Sequence, residues 1–136
     1  MSGAHVRVRA GGEQYALPVE AVTEVDELGD VTPVPGAPAE VAGVRNLRGQ
    51  VIPVIDLAAM LELGTEARQE RIVVAEHGDR RAALAVEQVE GVEELPEASQ
   101  AAASDYLTGA ALVHGELVGI LRVEAMLDAL TPTEEP

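Results

Sequence analysis

Lysine is absent from the 136-residue chain, and all nine of its basic side chains are arginines. A phosphate-binding loop needs a lysine at the β- and γ-phosphates, and a protein kinase needs the lysine of its third strand. A pyridoxal phosphate enzyme needs a lysine for its Schiff base. The missing lysine therefore excludes these three classes of enzyme.

Cysteine is also absent, as are phenylalanine and tryptophan. Without cysteine there are no disulfides, no thiol catalysis and no cysteine-ligated zinc or iron–sulfur site. The aromatic residues are Tyr15 and Tyr106, so the core must consist mainly of valine, leucine and alanine, a composition that favours strands. No apolar run is long enough for a signal peptide or a membrane span, and we expect a cytoplasmic protein with no membrane insertion.

The charge balance narrows the range of partners. The formal net charge is −15, whereas a nucleic-acid binder must neutralise phosphates with basic side chains. We therefore expect no nucleic-acid partner. Hydrophobic residues make up 47% of the chain, which is enough for a packed core, and the length corresponds to a single domain.

Strand and turn signals recur along the chain. Alternating or continuous apolar runs flank short glycine-containing turns near Gly11, Gly49, Gly78 and Gly115, and each pattern predicts a β-hairpin. The segment 96–104 is rich in alanine and serine and is compatible with a loop or a short helix. Val123, Met126, Leu127 and Leu130 follow helical spacing, so we expect the chain to close with a helix.

These signals predict a mainly β fold with the following divisions. Residues 1–12 form an N-terminal strand region, 13–66 a first barrel half and 67–122 a second. Residues 123–136 hold the closing helix and tail. Together they are expected to form one domain over about 5–131.

Few residues have the surroundings that catalysis or metal binding requires. The three histidines are isolated, and no Gly-x-Ser-x-Gly elbow is present. We expect no catalytic residues, no metal and no cofactor. A run of acidic residues is either a solvated edge or a docking surface for an arginine-bearing partner: Glu87, Glu90, Glu93, Glu94 and Glu97.

The most specific pattern lies between Gly43 and Leu57. It reads Gly-Val-Arg-Asn-Leu-Arg-Gly-Gln-Val-Ile-Pro-Val-Ile-Asp-Leu. This segment resembles the signature of the CheW family of chemotaxis coupling proteins. Further matches to that family lie in order along the chain, at Tyr15, Leu17, Pro18, Val22, Glu24, Val25, Pro35, 86–89 and 106–109.

The resemblance implies both a fold and a function. The implied fold is mainly β, with two small five-stranded β-barrels packed side by side, short helices and a C-terminal helix. The implied function is a non-catalytic adaptor that links the cytoplasmic tips of chemoreceptors to the regulatory domain of a CheA-type histidine kinase in a chemosensory array, with other CheW-like proteins as further partners. It also implies recruitment to membrane receptor arrays through these partners. The residues that map to the receptor-binding side are Val22, Glu24, Val44, Asn46 and Arg48.

The residues of this motif also suit a binding tip on physical grounds. Gly49 permits a left-handed turn, Asn46 can hydrogen-bond to nearby backbone, and Arg48 offers a forked guanidinium to a carboxylate. Arg48 could equally pair with Glu24 and join two strands of the fold. Two other functions stay open: a small ligand-binding β-barrel, and a hydrolase with paired carboxylates.

Overall fold

The computed structural model describes residues 3–63, 68–102 and 104–130. The chain is mainly β, which confirms the predicted class, and all four predicted hairpins are present. The strands are β1 Gly3–Ala10, β2 Glu13–Pro18, β3 Val22–Glu27, β4 Val41–Leu47, β5 Gln50–Asp56, β6 Arg71–His77, β7 Arg80–Val86, β8 Gln88–Leu95, β9 Leu107–Val113 and β10 Glu116–Leu121. The helices are a 3₁₀ turn at Val19–Ala21, α1 Leu57–Met60 and α2 Val123–Leu130.

The strands form two five-stranded sheets. Sheet 1 has the order β8-β1-β2-β10-β9, and sheet 2 has the order β3-β6-β7-β5-β4. Each sheet therefore combines strands from both sides of the predicted division at residues 66 and 67.

The two sheets repeat one pairing pattern. In sheet 1 an antiparallel hairpin, β1–β2, lies between the edge strand β8 and the strand β10, which runs parallel to β2. In sheet 2 the hairpin β6–β7 lies in the same way between the edge strand β3 and the strand β5, which runs parallel to β7. Each position in one sheet thus has a counterpart in the other, and Leu47, Arg48 and Gly49 correspond to Val113, His114 and Gly115.

Both faces of each sheet are apolar. One face contributes to a shared core that lies between the sheets and the two helices, with residues such as Leu17, Ile55 and Leu84. The other face of each sheet packs around a separate apolar cluster, which we call the inner cluster of that sheet. This arrangement explains why β5, β6 and β7 are apolar at consecutive positions, because alternate side chains point to opposite faces of a strand. The inner cluster of sheet 2 contains Leu47, Ile52, Val54, Ile72, Val74, Ala83 and Ala85.

The expectation of closed barrels needs correction, because the two terminal strands of each sheet form no ladder with each other in the described residues. The outer edges of β4 and β9 are occupied by the connections that precede them. Val44 exchanges backbone hydrogen bonds with Thr32, and Ala110 exchanges backbone hydrogen bonds with Gln100. These bonds satisfy backbone groups that a closing strand would otherwise use.

Helix α1 follows β5 directly, and helix α2 follows β10. Asp56 caps α1 by accepting a 3.1 Å hydrogen bond from the Ala59 amide. Helix α2 confirms the predicted closing helix, while the described residues of 96–104 are irregular. The predicted tail at 131–136 lies outside the described residues.

Candidate functional site

The tip of the β4–β5 hairpin is a two-residue turn. Arg48 and Gly49 have φ values of 53° and 85°, and the flanking Leu47 and Gln50 are paired. Positive φ at both central residues matches the right-handed twist of the strands, and asparagine and glycine adopt it most readily. The Gly49 amide also donates a 2.9 Å hydrogen bond to Oδ1 of Asn46, which ties the turn to the strand before it.

Arg48 extends from this tip to the opposite edge of sheet 2. Its Nη1 donates to Oε1 of Glu24 at 2.6 Å. The Arg48 side chain is 75% exposed and that of Glu24 is 22% exposed. The pair therefore joins β3 to β4 and still presents its guanidinium to solvent, so the strand-joining role foreseen for Arg48 is compatible with a role in binding.

A second charged pair lies beside the first, and the motif alone did not single it out. Arg45 Nη1 donates to the Glu27 carbonyl at 3.1 Å, and Arg45 Nη2 lies 3.6 Å from Oδ2 of Asp26. The Glu27 amide donates to the Asp26 carboxylate, and this bond, followed by the charges of Arg45 and Arg48, lowers the pKa of Asp26, while desolvation acts in the opposite direction. Two acids on β3 thus face two arginines from β4 and its turn.

The five predicted receptor-binding residues do not share one face. A bulge at Thr23 turns Val22 towards the shared core, whereas Glu24 lies opposite Val74 on the inner face. Val44 and Asn46 lie on the outer face of the hairpin, opposite Pro53 and Val51 respectively. The structure therefore brings Glu24 and Arg48 into contact and places Asn46 beneath the turn, while Val22, Val44 and Asn46 lie on the face of the sheet opposite to Glu24.

An exposed apolar residue joins this surface. Val51 is directly opposite Asn46 and is 62% exposed. It is the first residue of the apolar run 51–55, and it extends past the core at the tip of the hairpin. We call Glu24, Asn46, Arg48 and Val51 the hairpin-tip site.

The corresponding tip of sheet 1 has the same backbone and different side chains. His114 and Gly115 have φ values of 50° and 82°, close to those of Arg48 and Gly49. Leu112 and Leu117 are paired across this hairpin and are 57% and 54% exposed. The turn geometry is therefore common to both tips, whereas the charged pair belongs to the tip in sheet 2.

The acidic run near β8 is largely engaged within the chain. Glu93 and Glu90 form 3.2 Å ion pairs with Arg7 and Arg9, and Glu87 accepts a 3.1 Å hydrogen bond from the Gly12 amide. These contacts attach the edge strand to the β1–β2 hairpin. Because Glu87, Glu90 and Glu93 are engaged within the chain, these contacts weigh against a docking surface for an arginine-bearing partner.

The described residues offer little for bond-making chemistry. Arg7 is the one charged residue among them that is buried, so no pair of buried carboxylates exists there for a hydrolase. In the same residues, no group of three or more potential metal ligands is assembled. No helix in the described ranges is long and apolar enough to cross a membrane.

Comparison with known proteins identifies the family. The profile of the CheW-like domain matches residues 4–131. The Rhizobium meliloti chemotaxis protein CheW is 28% identical over 140 residues, covering 96% of this chain and 88% of that protein. Protein FrzA of Myxococcus xanthus is 32% identical over 131 residues, covering 88% and 81%.

Two further similarities differ in coverage. Protein PilI of Pseudomonas aeruginosa is 38% identical over 90 residues, which span 65% of this chain but only 51% of that protein. The crystal structure of the scaffolding protein TtCheW from Thermoanaerobacter tengcongensis matches with a TM-score of 0.82 and 26% identity, covering 90% of this chain and 86% of that one.

The matching family profile and the similar crystal structure of a scaffolding protein define a scaffold or adaptor class of protein. Within that class, the chain belongs to the CheW-like domain family.

Proposed function

We propose that this protein is a non-catalytic adaptor that couples chemoreceptors, the methyl-accepting chemotaxis proteins, to the regulatory domain of a CheA-type histidine kinase. It works in the cytoplasm without a cofactor and joins membrane receptor arrays through its partners, which include other CheW-like proteins. The observation that carries the proposal is the exposed Glu24–Arg48 pair on the ordered tip of a CheW-like domain.

The geometry of this pair suits recognition of a charged partner. A guanidinium has five N–H donors in a planar fork, and the Arg48 side chain is mostly exposed. A partner carboxylate can therefore bind Arg48 while Glu24 turns to a partner cation. Asn46 and Val51, which are opposite each other in the hairpin on the face away from Glu24, add an amide and an apolar contact next to the turn. Charged and apolar groups side by side are typical of the anchors that dominate protein interfaces.

A small ligand-binding barrel is the less favoured function. Such a barrel needs an empty interior, whereas the inner cluster of each sheet is filled by buried aliphatic side chains. The shared core between the sheets is filled in the same way.

The matched turns of the two sheets provide the experiment. Arg48→Asn removes the guanidinium and relaxes the turn, and His114→Asn relaxes the corresponding turn of sheet 1. Binding is measured by calorimetry against the cytoplasmic tip fragment of a chemoreceptor encoded in the same genome. We expect Arg48→Asn to weaken binding by ~2 kcal/mol, roughly thirtyfold, with thermal stability equal to or above that of the parent.

His114→Asn should leave receptor binding at the parental value. The regulatory domain of the CheA-type kinase is titrated separately against the parent protein, and we expect it to bind. The proposal is wrong if the parent protein fails to bind either one of the two partners, or if Arg48→Asn binds the receptor fragment as tightly as the parent does.

A further inference from the structure

The two edge strands of sheet 2 meet without a backbone ladder. We call the gap between β3 and β4 the seam. In the described residues, the order β3-β6-β7-β5-β4 places these strands at opposite ends of the sheet, yet Arg48 reaches Glu24 at 2.6 Å. Arg45 also crosses the seam, to the Glu27 carbonyl and to Asp26. Side chains from β4 and its turn therefore join the two edges where main-chain bonds do not.

The charged groups at the seam cover the rim of an apolar cluster. Glu24 and Asp26 lie opposite Val74 and Ile72, and Arg45 lies opposite Ile52. Residues directly opposite each other in a ladder share a face. These partners belong to the inner cluster of sheet 2, so all three charged residues are on its face. The stem of an arginine can cover apolar surface while its head binds polar groups.

The two arginines differ in how firmly they are held. Arg48 is 75% exposed and is held by its ion pair with Glu24, an interaction of a type that solvent screens strongly. Arg45 is 18% exposed and binds both a carboxylate and a backbone carbonyl. Its guanidinium also lies against Gly29, where an added Cβ would be 3.0 Å from Nε. Arg45 is thus the better anchored of the two.

Sheet 1 shows that this fold does not require an arginine at the position of Arg45. The corresponding residue in β9 is Ala111, which is fully buried in the inner cluster of that sheet. The acid that corresponds to Asp26 is Glu93, and it pairs with Arg7 of the neighbouring strand. The arginine that bridges the edge strands therefore accompanies the tip that carries the Glu24–Arg48 pair.

We propose that Arg45 is a positioning residue for the hairpin-tip site, because it holds β4 to β3 across the seam and so sets the separation of Glu24 and Arg48. Arg48 can then exchange Glu24 for a partner group while the seam stays closed. The link to a partner rests on the proposed function, whereas the effect of Arg45 on Arg48 does not.

The first test needs no partner. Arg45→Met keeps much of the apolar stem of the side chain and removes every side-chain hydrogen-bond donor. We expect hydrogen exchange of the β3 amides to rise about tenfold, because the edge opens locally. The Nε–H group of the Arg48 side chain should become more mobile in the same variant, which appears as a lower NMR order parameter for its Nε resonance. Arg9→Met is the matched control, since the Arg9–Glu90 pair joins two strands that already share a ladder, and it should leave the Arg48 resonance unchanged.

The second test measures affinity for the chemoreceptor fragment used above. A loosened site should bind about three- to tenfold more weakly in Arg45→Met. Arg45→Lys, which keeps the charge and a donor, should recover part of both the affinity and the Arg48 signal. An unchanged Arg48 resonance in Arg45→Met overturns the positioning role even if Arg48→Asn weakens binding. A loosened Arg48 with parental affinity also overturns it.

Discussion

At the scale of the residue, Gly49 provides the most direct test of the hairpin-tip geometry. Its φ is 85°, and a Cβ added there would meet nothing within 4 Å. Any loss of stability on substitution therefore arises from the backbone and not from a clash. We expect Gly49→Val to destabilise the protein by about 1 to 3 kcal/mol in urea unfolding, since a β-branched residue is strained at this φ. Gly49→Ala should act in the same direction but more weakly.

Gly3 offers a control for this prediction. It lies in the extended strand β1, and an added Cβ would lie no closer than 3.8 Å to His5. Gly3→Ala should therefore change the midpoint of unfolding much less than Gly49→Ala does. If Gly49→Val unfolds at the same urea concentration as the parent, the turn does not need a positive φ at position 49. The turn would then no longer explain how Arg48 is positioned.

The same residues show how far sequence patterns reach. The motif predicted the positive φ of Gly49 and the contact between Asn46 and nearby backbone, because both depend on neighbours in the chain. The ion pair of Arg48 with Glu24 was one of two roles considered. The Arg45–Asp26 contact was not foreseen, because it depends on the bulge at Thr23 and on the order of the strands. Neither is a local property of the sequence.

At the scale of the element, strand β4 depends on a close approach of two backbones. Val44 exchanges hydrogen bonds of 2.8 and 2.9 Å with Thr32, and Gly43 lies beside this bridge. A Cβ on Gly43 would be 2.2 Å from the Thr32 carbonyl oxygen. We expect Gly43→Ala to break the bridge and to destabilise the protein by about 2 to 4 kcal/mol, combining overpacking with lost hydrogen bonds. The midpoint of urea unfolding measures the effect.

Gly36→Ala separates backbone strain from the clash. Gly36 has a φ of 80°, but a Cβ there would meet nothing within 4 Å. Gly36→Ala should therefore cost clearly less stability than Gly43→Ala. Equal midpoints for the two variants would mean that the contact with Thr32 does not hold the edge of β4.

The elements themselves were largely predictable, and their assembly was not. Each hairpin has its own apolar strands and glycine turn, so its signal is contained in fewer than twenty consecutive residues. The pairing of β1 with β8, by contrast, joins residues more than seventy positions apart. Open sheets replaced the expected closed barrels for a similar reason, because Thr32 and Gln100 in irregular connections occupy the outer edges of β4 and β9.

At the scale of the whole molecule, the two sheets have exchanged hairpins. The segment from β1 to α1 contains all the parts of a five-stranded sheet, yet its hairpin β1–β2 lies in sheet 1, with β8, β9 and β10. Strands β3, β4 and β5 instead receive the hairpin β6–β7 from the other half of the chain. Each half therefore supplies strands without which the other half has no complete sheet.

We expect a side chain on the inner face of sheet 1, that of Arg7, to favour this exchange. Arg7 lies opposite Ala16, just as Val74 lies opposite Ala83, so Arg7 and Val74 hold corresponding positions. If β1–β2 replaced β6–β7 within the first half, Arg7 would point into the inner cluster around Ile52. In the observed fold Arg7 is 9% exposed and binds Gln14 at 2.8 Å and Glu93 at 3.2 Å. Glu93 belongs to the second half, and the corresponding acid of the first half, Asp26, is already paired with Arg45. A buried charge without a partner of its own is strongly unfavourable.

This arrangement leads to a prediction for a chain divided at the boundary expected from the sequence. Produced alone, residues 1–66 and 67–136 should each lack a cooperative thermal transition, because each would have to bury mismatched side chains or leave sheet edges unpaired. Mixed in equal amounts, the two pieces should associate and recover the circular dichroism spectrum of the intact protein, with a transition that depends on concentration. Replacing Arg7 with Val in the piece 1–66 should move it towards folding alone, since this change removes the charge that opposes the unexchanged sheet. A cooperative transition for the unmodified piece 1–66 would show instead that the hairpins choose their sheet by chain connectivity, and that Arg7 does not decide the exchange.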